Sequence, residues 1–223
     1  MLTVHHLNHS RSQRVLWMLE ELGVEYDIKF YERNSDTMLA PAELRTVHPL
    51  GKSPVITDGE LTLAESGAIL EYLVERYGNG RFIPTPGKPE RWRYTYWLHY
   101  AEGSMMPLLF LPLLFARIEQ RPMPLFARPI AQKISERTQS AFIGPQIARH
   151  LDFLESELAK SLWFAGDEFT AADIQMSFPL EVAVVRAGLD DRHPNLMAFL
   201  QRIRARPAYQ QAIARGGEFH ILS

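Results

Sequence analysis

The spacing of hydrophobic positions changes part-way along the chain and divides it into two regions. In the first region, short apolar runs alternate with helical patterns in which apolar residues recur every three or four positions. The predicted strands cover residues 2–7, 26–31, 55–57 and 61–63. The predicted helices are one that carries Val15, Met18, Leu19 and Leu22, a short one that begins at Pro41, and one that carries Ile69, Leu70, Leu73 and Tyr77. The order β-α-β-α-β-β-α over residues 1–78 indicates a small four-stranded α/β domain.

After residue 78 the pattern contains no further strand signal. Residues 79–89 are rich in glycine and proline, which is typical of a linker. Long helical patterns then run from about Glu90 to Ile118 and from about Pro129 to Ala159, and further helices begin near Thr170, Pro194 and Pro207. Residues 90–223 are therefore predicted to form an all-helical second domain.

The segment Phe169-Thr170-Ala171-Ala172-Asp173 has the spacing of a capping box at the start of one of these helices. The Thr170 side chain can accept a hydrogen bond from the N–H of Asp173, and the Asp173 carboxylate can accept one from the N–H of Thr170. The apolar residues that follow predict a buried helix, which Pro179 is expected to kink. We therefore assign this motif to folding and not to chemistry.

Composition narrows the class of protein. The chain has 223 residues, of which 46% are hydrophobic and 22% charged, and its formal net charge is −2. This balance is ordinary for a globular protein and gives no sign of a nucleic-acid-binding surface. The absence of cysteine excludes disulfides, thiolate metal sites and a cysteine nucleophile. The histidines show no metal-ligand spacing, so no metal site is predicted.

No membrane association is expected. The N-terminal residues 1–6 lack the basic and apolar regions of a secretory signal. The most apolar segment, Met105 to Ala116, is about a dozen residues long and contains two prolines, which is short for a membrane span. A soluble cytoplasmic protein is the resulting expectation.

The most informative stretch is Gly51-Lys52-Ser53-Pro54-Val55-Ile56, followed by the pair Glu65-Ser66. A proline stands where a strand begins, and an acid and a hydroxyl open a helix. A helix N-terminus binds an anion, and an extended peptide can pair with the backbone of a strand. Together these features predict a site for a small peptide-like thiol.

Each of these residues also has an explanation that involves no ligand. Pro54 could open an edge strand with a trans peptide bond. Glu65 and Ser66 could simply cap their helix. Lys52 could be a solvated surface lysine.

Two further segments complete a resemblance to a known family. They are Asn8-His9-Ser10-Arg11-Ser12-Gln13-Arg14-Val15-Leu16-Trp17 and Tyr100-Ala101-Glu102-Gly103-Ser104. Over nearly its whole length the chain resembles a cytosolic glutathione S-transferase, with a thioredoxin-like N-terminal domain, a linker, a helical C-terminal domain and the capping box. The two segments are most similar to the bacterial and fungal branch whose active-site residue is a serine. The resemblance implies a homodimeric detoxification enzyme that uses glutathione.

The resemblance also implies a role for each residue of the predicted site. It implies a cis peptide bond before Pro54, so that Val55 can present its backbone to the cysteinyl unit of glutathione. Ser66 would bind the γ-glutamyl carboxylate and Glu65 the γ-glutamyl ammonium. Lys52 is the candidate for the glycyl carboxylate.

Ser10 is the candidate catalytic residue, because the activating hydroxyl of serine-type members lies in the turn between the first strand and the first helix. Its hydroxyl would donate a hydrogen bond to the glutathione sulfur and favour the thiolate. Such a bond is worth about 1.5–3 kcal/mol, which lowers a thiol pKa by about one to two units. Ser10 could instead cap the helix. Ser12 is the main alternative for the catalytic role, and Asn8 and His9 are weaker ones.

The second substrate is expected to bind between the two domains. The first long helix would line this pocket with Tyr100, Met105 and Leu109, although such a stripe is more often part of a core. The resemblance implies a small hydrophobic electrophile as substrate. Glutathione-dependent peroxidase, isomerase or dehalogenase activity, and a non-catalytic role in binding ligands or partners, remain alternatives. Glu102 is a candidate contact with glutathione across a dimer interface.

Overall fold

The computed structural model describes residues 1–217 and 221, and its N-terminal part is a four-stranded sheet with three helices. The strands are β1 (Leu2–Leu7), β2 (Asp27–Tyr31), β3 (Val55–Asp58) and β4 (Leu61–Ala64). The helices are α1 (Ser12–Leu22), α2 (Leu44–Val47) and α3 (Ser66–Tyr77). The strand order is β2-β1-β3-β4, in which β1 is parallel to β2 and antiparallel to β3, and β3 is antiparallel to β4. The predicted thioredoxin-like order of elements is confirmed.

One predicted boundary was wrong. The short helix begins at Leu44 and not at Pro41. The residues before it form turns, in which the N–H groups of Leu44 and Arg45 bond the carbonyls of Pro41 and Ala42. Proline at 41 therefore starts a turn that leads into the helix.

The rest of the described chain is helical, as predicted. The helices are α4 (Pro89–Tyr100), α5 (Met106–Gln120), α6 (Arg128–Thr138), α7 (Gly144–Leu158), α8 (Ala171–Arg186), α9 (Pro194–Arg204) and α10 (Pro207–Gly216). Two π-helical turns, Ala101–Met105 and Gln139–Ile143, join α4 to α5 and α6 to α7. Each long pattern in the sequence is therefore one helical run with a wide turn inside it.

The main hydrophobic core extends through both parts of the chain. It contains Leu16 of α1 and Leu70 of α3 together with Leu109 of α5 and Leu180 of α8, all of them fully buried. Helix α1 packs against α3, α8 and α10. Because the sheet domain and the helical domain share this core, the turn at the start of α1 is held against both.

The capping box at the start of α8 is confirmed. Both of its hydrogen bonds are present. The Asp173 carboxylate accepts the backbone N–H of Thr170 at 2.8 Å and, through its other oxygen, the backbone N–H of Phe164 at 2.8 Å. Asp173 thus ties α8 to the loop before it.

The expectation that the apolar segment is too short to cross a membrane was wrong. The helical run that contains it meets the length and composition of a membrane span. Because the π-helical turn does not interrupt the run, Pro89–Gln120 is one helical segment of 32 residues, and its most apolar window has a mean hydropathy of 1.3. Only 22% of that window is buried within the chain. One such helix is weak support for a membrane span, and its exposed apolar surface is considered below.

Candidate functional site

Ser10 lies in the turn that connects β1 to α1. Its side chain is 5% exposed, and its hydroxyl lies 2.7 Å from that of Ser12. The Ser12 hydroxyl in turn lies 3.0 Å from Nδ1 of His6, which is buried in β1. Ser10 and its main rival Ser12 are therefore hydrogen-bonded to each other at the N-terminus of α1, where the helix dipole favours negative charge.

The weaker candidates in the same turn differ in their contacts. Asn8 accepts the backbone N–H of Arg33 through Oδ1 at 3.0 Å, so its side chain holds the turn to the segment after β2. His9 adopts a left-handed backbone conformation with φ of 50°. Neither observation connects these two side chains with the Ser10 hydroxyl.

The peptide bond between Ser53 and Pro54 is cis, as the resemblance implied. Pro54 is buried, and the Ser53 hydroxyl donates to the backbone carbonyl of His5 at 2.9 Å. The expected role of Val55 meets a structural difficulty, because Val55 is paired with His5 on one side and Ala64 on the other. Ser53 lies two residues before the first residue of β3, so its backbone is outside the sheet pairing.

Ser66 is the first residue of α3 and is 3% exposed. Its hydroxyl oxygen accepts two hydrogen bonds, one from Arg14 Nη2 at 2.9 Å and one from Gln175 Nε2 at 3.2 Å. A serine hydroxyl has two acceptor positions and one proton. Since both acceptor positions are occupied, the Ser66 proton is the group left for a further partner at this helix N-terminus.

Glu65 precedes α3 with φ of 71° and ψ of 118°, a left-handed conformation that is costly for a residue with a side chain. Its side chain makes no capping hydrogen bond to the helix. The simple N-cap explanation for Glu65 is therefore not realised in the structure. The carboxylate is exposed beside Ser66.

Arg14 is the buried centre of the site. Its side chain is 2% exposed, and besides Ser66 it donates to the backbone carbonyl of Gln175 at 2.7 Å and to Glu102 at 2.6 Å. Glu102 also pairs with Arg11 at 3.2 Å. Burial by itself would raise the pKa of Glu102, yet the charges of Arg14 and Arg11 hold it below its ordinary value. The carboxylate is therefore charged at neutral pH and is paired with two arginines of its own chain; a contact of Glu102 with glutathione across a dimer interface stays a prediction.

Positive charge surrounds the turn between β1 and α1 although the whole chain has a formal net charge of −2. The Arg33 guanidinium donates to the backbone carbonyls of Asn8 and His9 in this turn. Burial and then the charges of Arg11 and Arg117 lower the pKa of Arg33, which places the positive charges close enough to act on one another. This part of the surface favours anionic ligands.

Lys52 lies in the loop before the cis-proline and is exposed. In the part of the chain that the structure describes, no hydrogen bond or ion pair to its side chain is seen. Among the described residues there is also no group of three or more histidine, cysteine, aspartate or glutamate side chains placed to hold a metal ion.

The three residues expected to line the pocket for the second substrate lie in the core. Tyr100 is 6% exposed, and Met105 and Leu109 are fully buried. The Tyr100 hydroxyl is hydrogen-bonded to His150 on α7 at 2.5 Å. These three side chains face the neighbouring helices and form part of the hydrophobic core. Phe178 of α8 lies at the turn between β1 and α1, where its ring centre is 5.1 Å from the Arg11 guanidinium.

The sequence analysis missed Arg14 and Gln175 as partners of Ser66. A polar residue within an otherwise apolar helix face was the available signal in both cases. Arg14 interrupts the buried face of α1, and Gln175 is a fully buried amide in α8. Their meeting point could not be read from spacing, since 161 positions separate them.

Comparison with known proteins agrees with this geometry. The sequence profile described as glutathione S-transferase, N-terminal domain, matches residues 1–75, and the one described as glutathione S-transferase, C-terminal domain, matches residues 126–207. Glutathione S-transferase 3 of Schizosaccharomyces pombe is 36% identical over 93% of this chain and 85% of its own. Glutathione S-transferase 1 of Saccharomyces cerevisiae is 31% identical over 98% of both chains.

Solved structures show the same similarity. A glutathione S-transferase from Actinobacillus pleuropneumoniae superimposes with a TM-score of 0.79 at 32% identity, over 97% of this chain and 93% of that one. A sphingomonad glutathione S-transferase complexed with glutathione gives a TM-score of 0.72 over 96% of this chain and 98% of that one. At 23% identity the latter supports the fold alone.

A thioredoxin-like domain joined to a helical domain is the architecture of glutathione transferases. The chain belongs to the glutathione S-transferase family, and it is a transferase that uses glutathione as a substrate.

Proposed function

We propose that the enzyme binds glutathione between the cis-proline turn and the N-terminus of α3, and ionises its thiol beside Ser10. The observation that carries this proposal is the arrangement at Ser66. Two buried donors, Arg14 and Gln175, fill the acceptor positions of its hydroxyl, so its proton is left for a further partner at the N-terminus of α3. A carboxylate is the ligand that this combination suits.

The other ends of glutathione would be held by the residues around this point. The γ-glutamyl carboxylate would bind Ser66, and the exposed Glu65 carboxylate would bind the neighbouring ammonium group. The cysteinyl backbone would pair beside Pro54, where Val55 is occupied by the sheet and the backbone of Ser53 is not. Lys52 would pair with the glycyl carboxylate as an exposed, salt-sensitive contact.

Ser10 would stabilise the thiolate through a hydrogen bond to sulfur. A bond of about 1.5–3 kcal/mol to a charged group shifts the thiol pKa down by about one to two units. The N-terminus of α1 acts in the same direction, and so does the one positive charge by which Arg11 and Arg14 together exceed Glu102. A thiol with an ordinary pKa of about 8.5 would then be largely ionised at neutral pH.

The thiolate would attack a small hydrophobic electrophile that packs near Phe178, on the side of the turn that faces α8. In a substitution, the carbon–sulfur bond forms as the leaving group departs with its electron pair. Peroxide reduction, isomerisation and dehalogenation can use the same thiolate. A panel with one substrate of each type separates these activities.

We also propose a cytoplasmic homodimer. The exposed aromatic side chains of α4 and α5 support this assembly, because large apolar side chains left in water favour association. Trp92 is 75% exposed, Tyr96 48% and Phe110 52%. This surface would also account for the low burial of the apolar run that contains α4 and α5.

The binding site is tested by calorimetric titration of glutathione against the wild type and Ser66→Ala. Losing a hydrogen bond to a carboxylate should weaken binding about tenfold to a hundredfold. Ser156→Ala is the matched control, because the exposed Ser156 hydroxyl donates to the Phe153 carbonyl of its own helix. Equal affinities for the two variants would refute the assignment of Ser66.

A further inference from the structure

A buried chain of hydrogen bonds leads away from the Ser10 hydroxyl. It runs from Ser10 to Ser12 at 2.7 Å and from Ser12 to His6 Nδ1 at 3.0 Å. The three side chains are 5%, 0% and 3% exposed, respectively. Each hydroxyl has one proton, so a chain of this kind has a direction that can be deduced from its far end.

The far end is the pair of groups that face the Ser12 hydroxyl on its other side. This hydroxyl lies 3.3 Å from the backbone carbonyl oxygen of Leu7 and 3.0 Å from His6 Nδ1. Burial lowers the pKa of His6 to about 4, so its ring is neutral at physiological pH. The Leu7 carbonyl can only accept a hydrogen bond, so the Ser12 proton is directed to this end of the chain and not to Ser10.

The packing leaves the His6 ring little freedom. A Cβ atom on Gly216 would lie 3.4 Å from His6 Cε1 and 2.6 Å from Leu16 Cδ1. The end of α10 thus lies directly against β1 and α1. This close packing restricts the movement of the ring beside Ser12.

The direction of the chain follows step by step. Ser12 donates its proton to the Leu7 carbonyl or to His6 Nδ1, so the Ser12 oxygen accepts the proton of Ser10. The Ser10 oxygen accepts the backbone N–H of Ser12 at 3.2 Å and keeps one acceptor position. Without ligand, the catalytic hydroxyl therefore offers an incoming thiol an acceptor and not a donor.

We propose that Ser12 is a positioning residue that competes with the glutathione sulfur for the Ser10 proton. The proposal rests on the role of Ser10 described above. On ionisation the thiol proton leaves to water and the sulfur keeps the electron pair of its S–H bond. The Ser10 O–H then turns from Ser12 to the sulfur, so one neutral hydrogen bond is given up for one charged bond. Ser12 thereby holds the pKa of the bound thiol above the value that Ser10 alone would produce.

Other charged and titratable groups also face this turn. In chain order they are His6 on β1, His9 and Arg11 in the turn, Arg14 on α1, Arg33 after β2, Glu102 in the π-helical turn after α4 and Arg117 near the end of α5. All of them are present in a Ser12 variant as in the wild type. A comparison of the two therefore isolates the hydroxyl of Ser12.

The test is the pKa of bound glutathione, measured by the ultraviolet absorbance of the thiolate against pH. Ser10→Ala should raise this pKa by about one unit or more, because the sulfur loses its donor. Ser12→Ala should lower it by about half a unit to one unit, because the competing acceptor is gone. The double variant should match Ser10→Ala, since Ser12 acts only through Ser10.

Ser12→Thr is the conservative control, because it keeps the hydroxyl and should keep the wild-type pKa. Alanine is well tolerated at a helix start, and thermal unfolding checks that each variant is folded; Ser12→Gly removes the same hydroxyl if alanine does not fold. A purely structural role for Ser12 predicts no lowering of the pKa. A raised or unchanged pKa in the Ser12 deletion overturns the inference. No effect of Ser10→Ala, or no glutathione binding by the wild type, would instead overturn the proposed function on which it rests.

Discussion

At the scale of single residues, the most buried carboxylate is used for folding. Asp173 is fully buried and accepts hydrogen bonds from the backbone N–H groups of Phe164 and Thr170 and from the Thr170 hydroxyl. Burial raises its pKa to about 6 and outweighs these hydrogen bonds, which lower it. Asp173, which belongs to the capping box of α8, is therefore expected to titrate near pH 6, where the unfolding of the whole protein can be measured.

This raised pKa predicts a pH dependence of stability. The folded state binds more protons than the unfolded state between the ordinary aspartate pKa near 4 and the folded value of about 6. The free energy of unfolding should consequently fall as the pH rises through this range, by about 2–3 kcal/mol in total, and level off above it. Asp173→Asn cannot titrate and should remove this part of the slope, measured by urea unfolding at a series of pH values.

Asp190→Asn is the control for this experiment. Asp190 is exposed, and its hydrogen bonds are to Arg192 on the surface. The raised pKa of Glu181 contributes a slope of the same sign that both variants retain. An Asp173→Asn protein with the full wild-type slope would show that Asp173 is ionised throughout.

At the scale of secondary-structure elements, Arg14 connects four of them. It lies in α1 and bonds Ser66 at the start of α3, the Gln175 carbonyl in α8 and Glu102 in the π-helical turn. A π-helical turn widens the helix locally and is frequent at functional sites. Here that turn carries the carboxylate which neutralises the buried guanidinium.

Removing the Arg14 charge should therefore loosen the junction between the domains. Arg14→Met leaves Glu102 without its buried partner, and breaking a buried pair from one side costs about 3–5 kcal/mol. Ser66 would also lose the donor that orients it, so glutathione binding should weaken. Chemical unfolding and calorimetric titration of the same protein measure the two effects.

The matched control is Arg192→Met, which removes an exposed ion pair with Asp190. Exposed pairs contribute little to stability, so this variant should unfold like the wild type. If Arg14→Met and Arg192→Met proved equally stable, the buried pair would not hold the junction together.

At the scale of the whole molecule, the surface of the helical run is unusually apolar. Trp92 and Tyr96 on α4 and Phe110 on α5 are all about half exposed or more. A dimer that covers these side chains explains the surface without a membrane. Aromatic and arginine side chains are common at such interfaces.

The proposed dimer predicts a sedimentation mass of twice the 25.6 kDa of the chain. Trp92→Glu should shift the protein towards the monomer, because it places a charge in an apolar interface. Leu162→Glu is the control, since Leu162 is 49% exposed between α7 and α8 and its carbonyl accepts a hydrogen bond from Arg202 of α9. A monomeric wild type, or equal dissociation of both variants, would argue against this interface.

Much of the fold and part of the site follow from local pattern. The strands and helices are predicted because apolar residues repeat at the period of each element, and the capping box at Thr170 because its two bonds span three residues. Ser10 and Ser66 are recognisable for a similar reason. Each opens or precedes a helix, so its local position already gives it a helix N-terminus.

The sequence by itself determined the order of elements, the helix starts and the short motifs, because these depend on neighbours along the chain. Only the tertiary structure decided which faces meet. It buried Tyr100, Met105 and Leu109 in the core. It also brought Arg14, Ser66 and Gln175 together from three helices, and it placed the end of α10 against His6. Such contacts depend on packing between segments that are far apart in the sequence, so they cannot be deduced from the spacing of residues along the chain.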